Sequence, residues 1–159
     1  MAACILYLIF RKKHLKIIEL IKYSATLSVT LTFLMVLLVL MPLGDFNYQF
    51  YLIDDGAFFR HILCPLLAII SFLFFENTSL ENSLKNNLRA VYFTIIYTVI
   101  MAILNILRII VGPYPFLEVY NQSVLMSVIW IIVILGLDLV LARILLYVKN
   151  RISYREAQN

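Results

Sequence analysis

The sequence LIKYSATLSVTLTFLMVLLVLM, residues 20–41, carries one charged residue, Lys22, followed by nineteen residues without a charge. An α-helix needs about 20 apolar residues to cross a hydrocarbon core about 30 Å thick. Because no backbone N–H or C=O can stay unpaired in lipid, a spanning segment is either a helix or a strand of a closed barrel. Barrel strands alternate apolar and polar residues, and this run does not. The sequence therefore predicts a transmembrane helix over Tyr23–Met41.

Three further apolar segments extend this pattern along the chain: His61–Phe75, Ala90–Val111 and Gln122–Val148. Of the 159 residues, 64% are hydrophobic and 14% are charged, and the mean hydropathy is +0.97. These values are typical of an integral membrane protein rather than a soluble domain. The segment at His61 is short, so we expect it to begin near Ala57 or to lie where the bilayer is thinner. We predict an all-α fold, an integral membrane helical bundle with about four transmembrane helices.

The prediction divides the chain into a short apolar segment and basic stretch at 1–22, the transmembrane bundle at 23–148 and a tail at 149–159. Residues 1–10, MAACILYLIF, are apolar but too short to span a bilayer. The basic residues come after this apolar stretch, whereas a signal peptide carries its basic residues before the apolar part. This pattern is typical of a spanning helix whose beginning is missing. An N-terminal anchor in the membrane interface is the alternative.

The distribution of lysine and arginine predicts the orientation, because short loops rich in these residues stay in the cytoplasm. Both residue types are concentrated before the first apolar segment and after the last one. The loop 44–59 has three aspartates and no basic residue, and the loop 112–121 has Glu118 as its one charged residue. We therefore predict a cell-membrane protein with both termini in the cytoplasm. Its expected partners are membrane lipids, and the net charge of +4 does not indicate nucleic-acid binding.

Polar residues near the predicted outer surface form a candidate site. Arg60 and His61 open the second segment, Asn105 and Arg108 close the third, and Tyr114 and Glu118 follow in the next loop. Polar groups at membrane depth are costly, so they mark candidate functional positions. His61 is the candidate catalytic general base, and the other five are candidates for lining a cavity or orienting the imidazole. In the structural alternatives, His61 caps a helix and Arg108 reaches toward lipid phosphates.

Asp138 is a charged residue deep in the fourth segment. It is a candidate for lining a polar path, or for a structural hydrogen bond between helices. We expect its partner to be a hydroxyl group or Arg89. On the third segment, polar and larger residues recur at steps of three and four, which predicts one face turned toward protein: Thr94, Tyr97, Thr98, Met101, Asn105 and Arg108.

Motifs of soluble enzymes are missing from the sequence, which contains no GxSxG, HExxH or CxxC. The two cysteines, Cys4 and Cys64, form neither a metal-binding nor a disulfide pattern. We therefore predict no metal and no cofactor. Any chemistry must depend on a histidine at the membrane surface.

Three stretches of the chain resemble a known family. HILCPLLAIISFLFFE, residues 61–76, places a histidine shortly before a proline at the start of a helix. RIIVGPYPFLEV, residues 108–119, carries a Tyr-Pro motif between the last two helices. With LIKYSATLSVTLTFLMVLL, residues 20–38, these motifs make the chain similar to the androgen-induced family of multi-pass membrane proteins and its bacterial six-helix relatives. The resemblance covers Lys16 to Arg151.

This resemblance implies a threonine hydrolase that cleaves fatty-acid esters of hydroxy fatty acids. His61 matches the essential histidine, in an HxxxP spacing that is one residue longer in some animal members. No position matches the essential threonine, because Thr26, Thr30 and Thr32 lie on the counterpart of the third family helix and the nucleophile belongs to the second. By this comparison, one and a half helices are absent before Met1.

The predicted function is that of a multi-pass membrane protein related to lipid-ester hydrolases, with a lipid ester as substrate. Whether this chain is active without the threonine stays open. The alternative is a non-catalytic membrane carrier or a structural bundle subunit. In that alternative, Asp138, Asn105 and Arg108 line a polar path.

The predicted topology can be tested by introducing single cysteines into a cysteine-free variant and labelling them with a membrane-impermeant reagent. Probes at Asn47 and Tyr120 should react in intact cells, because both lie in loops predicted to face outward. Probes at Asn82 and Gln158 should react only after permeabilisation. Labelling at Asn82 in intact cells would contradict the predicted number of helices.

Overall fold

The computed structural model describes residues 15–76, 78–111, 118–156 and 158, and among these residues there are helices, turns and loops but no strand. The predicted all-α fold is confirmed. The predicted N-terminal apolar segment, 1–10, lies outside the described residues. The α-helices are α1 (Leu15–Met35), α2 (Met41–Leu43), α3 (Cys64–Ile70), α4 (Leu84–Ile106) and α5 (Val124–Glu156).

Three helical segments are long and apolar enough to cross a membrane: Lys16–Leu43, Leu84–Ile106 and Val124–Arg155. At 1.5 Å per residue, even the shortest of them is about 35 Å long, more than the thickness of the hydrocarbon core. A fourth apolar helix, Phe59–Phe75, is shorter, as the sequence predicts. Successive segments run in opposite directions. We name the two ends of the bundle the Arg108 end and the Lys149 end, after residues that lie there.

Wide π-helical turns occur at four places among the described residues: Val36–Leu40, Gln49–Ile53, Phe59–Leu63 and Ser71–Phe75. The first joins α1 to α2, and the third joins directly to α3. In the third turn, the Cys64 N–H donates to the carbonyl of Phe59, five residues earlier. Pro65, the second residue of α3, has no N–H to donate, and the wide turn before it accommodates that loss. The helical segment therefore begins before Pro65, at Ala57.

The start of α4 depends on a capping residue that hydropathy does not detect. The sequence predicts a helix from Ala90, but α4 begins six residues earlier, at Leu84. The Ser83 side chain accepts a hydrogen bond of 3.3 Å from the Asn86 N–H, so the first turn has a partner for one of its free donors. The last helix, α5, continues past the apolar part of its sequence and ends at Glu156.

The end of α4 is a Schellman motif, and it comes five residues before the predicted end at Val111. Arg108 adopts a left-handed conformation with φ of 56°. Its N–H donates to the Asn105 carbonyl at 2.9 Å, and the Ile109 N–H donates to the Leu104 carbonyl at 3.0 Å. This is the hydrogen-bond pattern that satisfies the last carbonyls of a helix. Glycine usually occupies the left-handed position, so an arginine there gives no sequence signal for a helix end.

Two apolar clusters hold the helices together. The cluster at the Lys149 end joins α1, α4, α5 and the short helix, and contains Tyr23, Leu27, Phe72, Leu80, Ala90, Val91, Ala142, Leu145 and Leu146. The cluster nearer the Arg108 end joins α1 to α5 and contains Leu31, Met35, Val36, Leu40 and Ile134. Many other large apolar side chains are exposed on the outside of the bundle, where lipid would cover them.

Tyr23 connects three helices through one hydroxyl group. The residue is fully buried on α1, and its ring stacks on Phe72 with centroids 5.5 Å apart. Its hydroxyl lies 2.6 Å from the carbonyl oxygen of Ala142 on α5 and 2.9 Å from Oδ1 of Asn87 on α4. The Asn87 Nδ2 donates in turn to Asn82 Oδ1 at 3.0 Å. One aromatic side chain thus fixes the positions of α4 and α5 relative to α1.

Replacing Tyr23 by phenylalanine should lower the free energy of unfolding by about 1–3 kcal/mol, because two buried acceptors lose the donor that they share. Reversible denaturant unfolding in micelles would measure the change. Tyr154→Phe is the matched control, since Tyr154 is exposed on α5, and its effect should stay within about 0.5 kcal/mol. Equal effects of the two substitutions would contradict the bridging role of Tyr23.

Candidate functional site

His61 lies at the Arg108 end, in the π-helical turn Phe59–Leu63, and its side chain is partly exposed. Nδ1 of the ring is buried and has no hydrogen-bond partner. Neither this turn nor α3 has a side-chain cap, so His61 does not cap a helix. Arg60, Phe58 and Phe59 are exposed beside it. The imidazole therefore lies at an apolar surface that lipid can reach, next to a cation.

Asn105 has a structural role at the end of α4. The side chain is buried, with 5% of its surface exposed. Its Nδ2 donates to the Ile110 carbonyl at 3.2 Å, and its Oδ1 accepts a hydrogen bond of 3.0 Å from the Val119 N–H. Both partners lie in the connection to α5, and neither is the imidazole that Asn105 was a candidate to orient. The amide of Asn105 therefore holds that connection against α4.

Arg108 and Tyr120 border a cavity at the same end of the bundle. The guanidinium carbon of Arg108 lies 4.5 Å from the centroid of the Tyr120 ring, in a cation–π contact. The Tyr120 hydroxyl donates to the Ile106 carbonyl at 2.6 Å, which fixes the ring. The cavity has a volume of about 290 Å³ and is lined by Asn105, Arg108, Ile109, Ile110, Val111, Glu118, Tyr120 and Asn121.

The residues predicted to form one outer site lie in two places. Asn105, Arg108 and Glu118 surround the cavity, and Glu118 accepts a hydrogen bond from Asn121. His61 is not among the residues that line the cavity. Tyr114 lies outside the described residues. Within the described part of the chain, the orienting groups expected for the imidazole are thus engaged with the connection between α4 and α5.

Four serine and threonine hydroxyls of α1 donate to their own helix. Ser24, Ser28, Thr30 and Thr32 each bond to the carbonyl four residues earlier, at distances of 2.7 to 3.0 Å. Such bonds satisfy a hydroxyl at membrane depth without another helix. In each of these bonds the hydroxyl proton is donated to a backbone carbonyl, whereas a nucleophilic hydroxyl would give this proton to a base. These four residues are therefore not arranged as nucleophiles for His61.

Asp138 lies inside the bundle on α5, and none of its surface is exposed. Neither carboxyl oxygen has a hydrogen-bond partner, and the same is true of Oγ1 of the buried Thr94 on α4, the helix that packs against α5. Tyr23 on α1 is also close enough to interact with Asp138 electrostatically. The expected hydrogen bond of Asp138 to a hydroxyl group or to Arg89 is therefore not formed, and Arg89 is exposed on the surface.

The predicted stripe on α4 faces protein over part of its length. Thr94, Thr98 and Asn105 are buried. Tyr97 is half-exposed, and Arg108 is exposed beyond the end of the helix. The polar face of α4 is therefore narrower than the predicted stripe, and it points toward α5 and α1.

Sequence reasoning missed three buried polar residues at the Lys149 end: Tyr23, Asn87 and Lys149. Lys149 is 2% exposed, and its Nζ donates to the Leu73 carbonyl at 2.9 Å. We interpreted it as a topology signal at the membrane surface. A helical signal was available, because Lys149 follows Asp138 and Ala142 on one face of α5 at steps of four and seven.

The described residues contain no group of three or more His, Cys, Asp or Glu side chains that could hold a metal ion. In comparisons with known protein families, with curated proteins and with solved structures, the chain has no significant match. The functional assignment therefore depends on the residues of this chain and their arrangement.

Proposed function

We propose that this protein is a membrane-embedded relative of the lipid-ester hydrolases and that His61 is the general base of its site. The observation that supports this most directly is the unpartnered Nδ1 of His61. A structural histidine usually has both ring nitrogens engaged or solvated, because an unpaired buried polar atom costs free energy. A ring nitrogen without a structural bond is available to accept a proton from a reacting group.

The surroundings of His61 favour a lipid substrate. Phe58, Phe59 and the nearby residues Phe50 and Ile53 are exposed and apolar, so acyl chains have a surface to contact. The positive charge of Arg60 lies in the same turn, where it favours a substrate carboxylate or a lipid headgroup. An ester bond at the boundary between headgroup and acyl chain would lie at the depth of the imidazole.

The proposed chemistry is general-base catalysis. His61 takes a proton from a hydroxyl group as that group attacks the ester carbonyl, and then gives the proton to the leaving alkoxide. The hydroxyls of Ser24, Ser28, Thr30 and Thr32 are engaged by their own helix. The proposal therefore assigns the role of general base to His61 and does not assign the role of nucleophile to any of these four hydroxyls.

The proposal includes the orientation of the bundle. The Arg108 end faces outward and the Lys149 end faces the cytoplasm of the cell, since the basic residues of the sequence are concentrated at the latter. His61 would then act on lipids of the outer leaflet.

Substitution of His61 by alanine should reduce ester hydrolysis by about 10²–10⁴-fold, because the attacking hydroxyl loses its base. The assay uses the whole product of the gene, including any residues encoded before Met1, reconstituted in lipid nanodiscs. Release of fatty acid from a panel of fatty-acid esters of hydroxy fatty acids and of glycerol esters is measured.

His14→Ala is the matched control, since His14 is the other histidine of the sequence and stands in its basic stretch. It should leave the rate unchanged. Hydrolysis that persists in His61→Ala would show that another group is the base. A whole gene product that hydrolyses no ester in the panel would leave the carrier or structural-subunit function instead.

A further inference from the structure

An open groove lies on the outside of the bundle between α1 and α4, at the Lys149 end where α4 begins. Its volume is about 470 Å³. Leu20 of α1 borders the groove on one side, and the other described residues that line it belong to the first three turns of α4: Lys85, Leu88, Arg89, Tyr92 and Phe93. Residues at steps of three and four lie on one face of a helix, so these five side chains form a continuous surface.

Two cations stand at the beginning of this surface. Lys85 and Arg89 are exposed, and among the described residues neither has a carboxylate within ion-pairing distance. The first turn of α4 contains no acidic residue. Glu19, beside Leu20 on α1, accepts hydrogen bonds from the N–H and the hydroxyl of Ser79 at 2.8 and 3.0 Å, and it does not line the groove. The groove therefore has a net positive charge at the end nearest the start of α4.

The rest of the groove is apolar and aromatic. Leu88, Tyr92 and Phe93 are exposed. Phe93 lies eight residues after Lys85, about 12 Å further along the helix axis. The headgroup layer is about 5–8 Å thick on each side of the hydrocarbon core. The cations and the rings therefore lie at successive depths of one leaflet, in the same order as the headgroup and the acyl chains of a phospholipid.

We propose that this groove binds a phospholipid with a negatively charged headgroup, in the leaflet at the Lys149 end. The forked guanidinium of Arg89 fits two oxygens of a phosphodiester, and the Lys85 ammonium adds a second positive charge. The acyl chains contact Leu88 and Phe93. Basic pockets between membrane helices recognise anionic headgroups in this way.

The same charges make the groove selective. A zwitterionic headgroup carries a cation of its own, which Lys85 and Arg89 repel, whereas an anionic headgroup has no such cation. The site lies at the opposite end of the bundle from His61. Its occupancy is therefore independent of ester hydrolysis.

Quenching of a tryptophan by brominated lipids tests the site, because bromine quenches at short range. Phe93→Trp places the reporter in the groove and keeps an aromatic ring there, and Trp130→Phe removes the one native tryptophan. Vesicles of phosphatidylcholine contain either brominated phosphatidylglycerol or the same fraction of brominated phosphatidylcholine. The anionic lipid should bind at least about fivefold more tightly, since each basic residue near a membrane surface contributes about that factor.

Replacing both cations, Lys85→Gln with Arg89→Gln, should bring the affinities for the two lipids close to equal. Arg151→Gln with Arg155→Gln is the matched control, since these arginines of α5 are also four residues apart and exposed. It removes the same charge at the same end of the bundle, and it should leave the preference unchanged.

Native mass spectrometry measures the preference without the tryptophan substitutions. The protein is released from micelles that contain equal amounts of the two lipids, and phosphatidylglycerol should stay bound in excess unless Lys85 and Arg89 are replaced. Equal binding of the two lipids would overturn the proposal, and so would an equal loss of preference in the α5 variant. An absence of quenching by both brominated lipids would also overturn it, because another segment of the chain or a second copy would then cover the groove.

Discussion

The hydrogen bonds of the Tyr23 hydroxyl to α4 and α5 are the interaction on which the rest of the bundle depends. Lipid chains are as apolar as leucine, so membrane helices gain little from burying apolar side chains against one another. Close packing and polar contacts between helices must supply the specificity. Tyr23 provides both, because its ring stacks on Phe72 while its hydroxyl reaches Ala142 and Asn87. The register of three helices follows from this one residue.

That register turns the polar face of α4 toward α5. Asn87, Thr94 and Thr98 recur along one side of α4, and Asn87 is held by Tyr23. On α5, Asp138 lies one turn from Ala142, whose carbonyl also bonds to Tyr23. Fixing Asn87 and Ala142 at one level of the bundle therefore places Thr94 and Asp138 one to two turns further along, where both are buried between packed helices. A carboxyl group without a partner remains at membrane depth because the surrounding contacts hold it there.

The sequence was sufficient to predict the helical spans, because unbroken apolar runs have no other stable conformation in lipid. It was not sufficient for the ends of α4. Those ends depend on the Ser83 cap and on a left-handed arginine, Arg108, and neither feature changes the hydropathy. The π-helical turns were also not predicted. A π-helical turn has the same kind of residues as the α-helix around it and differs only in the spacing of its backbone hydrogen bonds.

For the candidate site, the sequence identified which polar residues lie at membrane depth but not how they pair. Asn105 was a candidate to orient the imidazole, yet its amide bonds to the loop that follows its own helix, a partner that depends on the fold of that loop. Spacing did place Thr94 and Asn105 on the buried face of α4, because helical periodicity is a local property. The buried positions of Tyr23 and Lys149 were not predicted. Tyrosine and lysine are common near the ends of membrane spans, where they lie at the membrane interface and determine the orientation.

The central claim is that α5 turns the Asp138 face toward protein and its opposite face toward lipid. Nitroxide labels placed one at a time over residues 137–144 of α5, in nanodiscs, measure this through collisions with molecular oxygen, which concentrates in lipid. We expect oxygen accessibility to vary with a helical period, highest at Val140 and Ile144, which are exposed, and lowest at Asp138 and Ala142. Equal accessibility at all eight positions, or a maximum at Asp138, would contradict the buried position of the carboxyl group and the packing of α4 against α5.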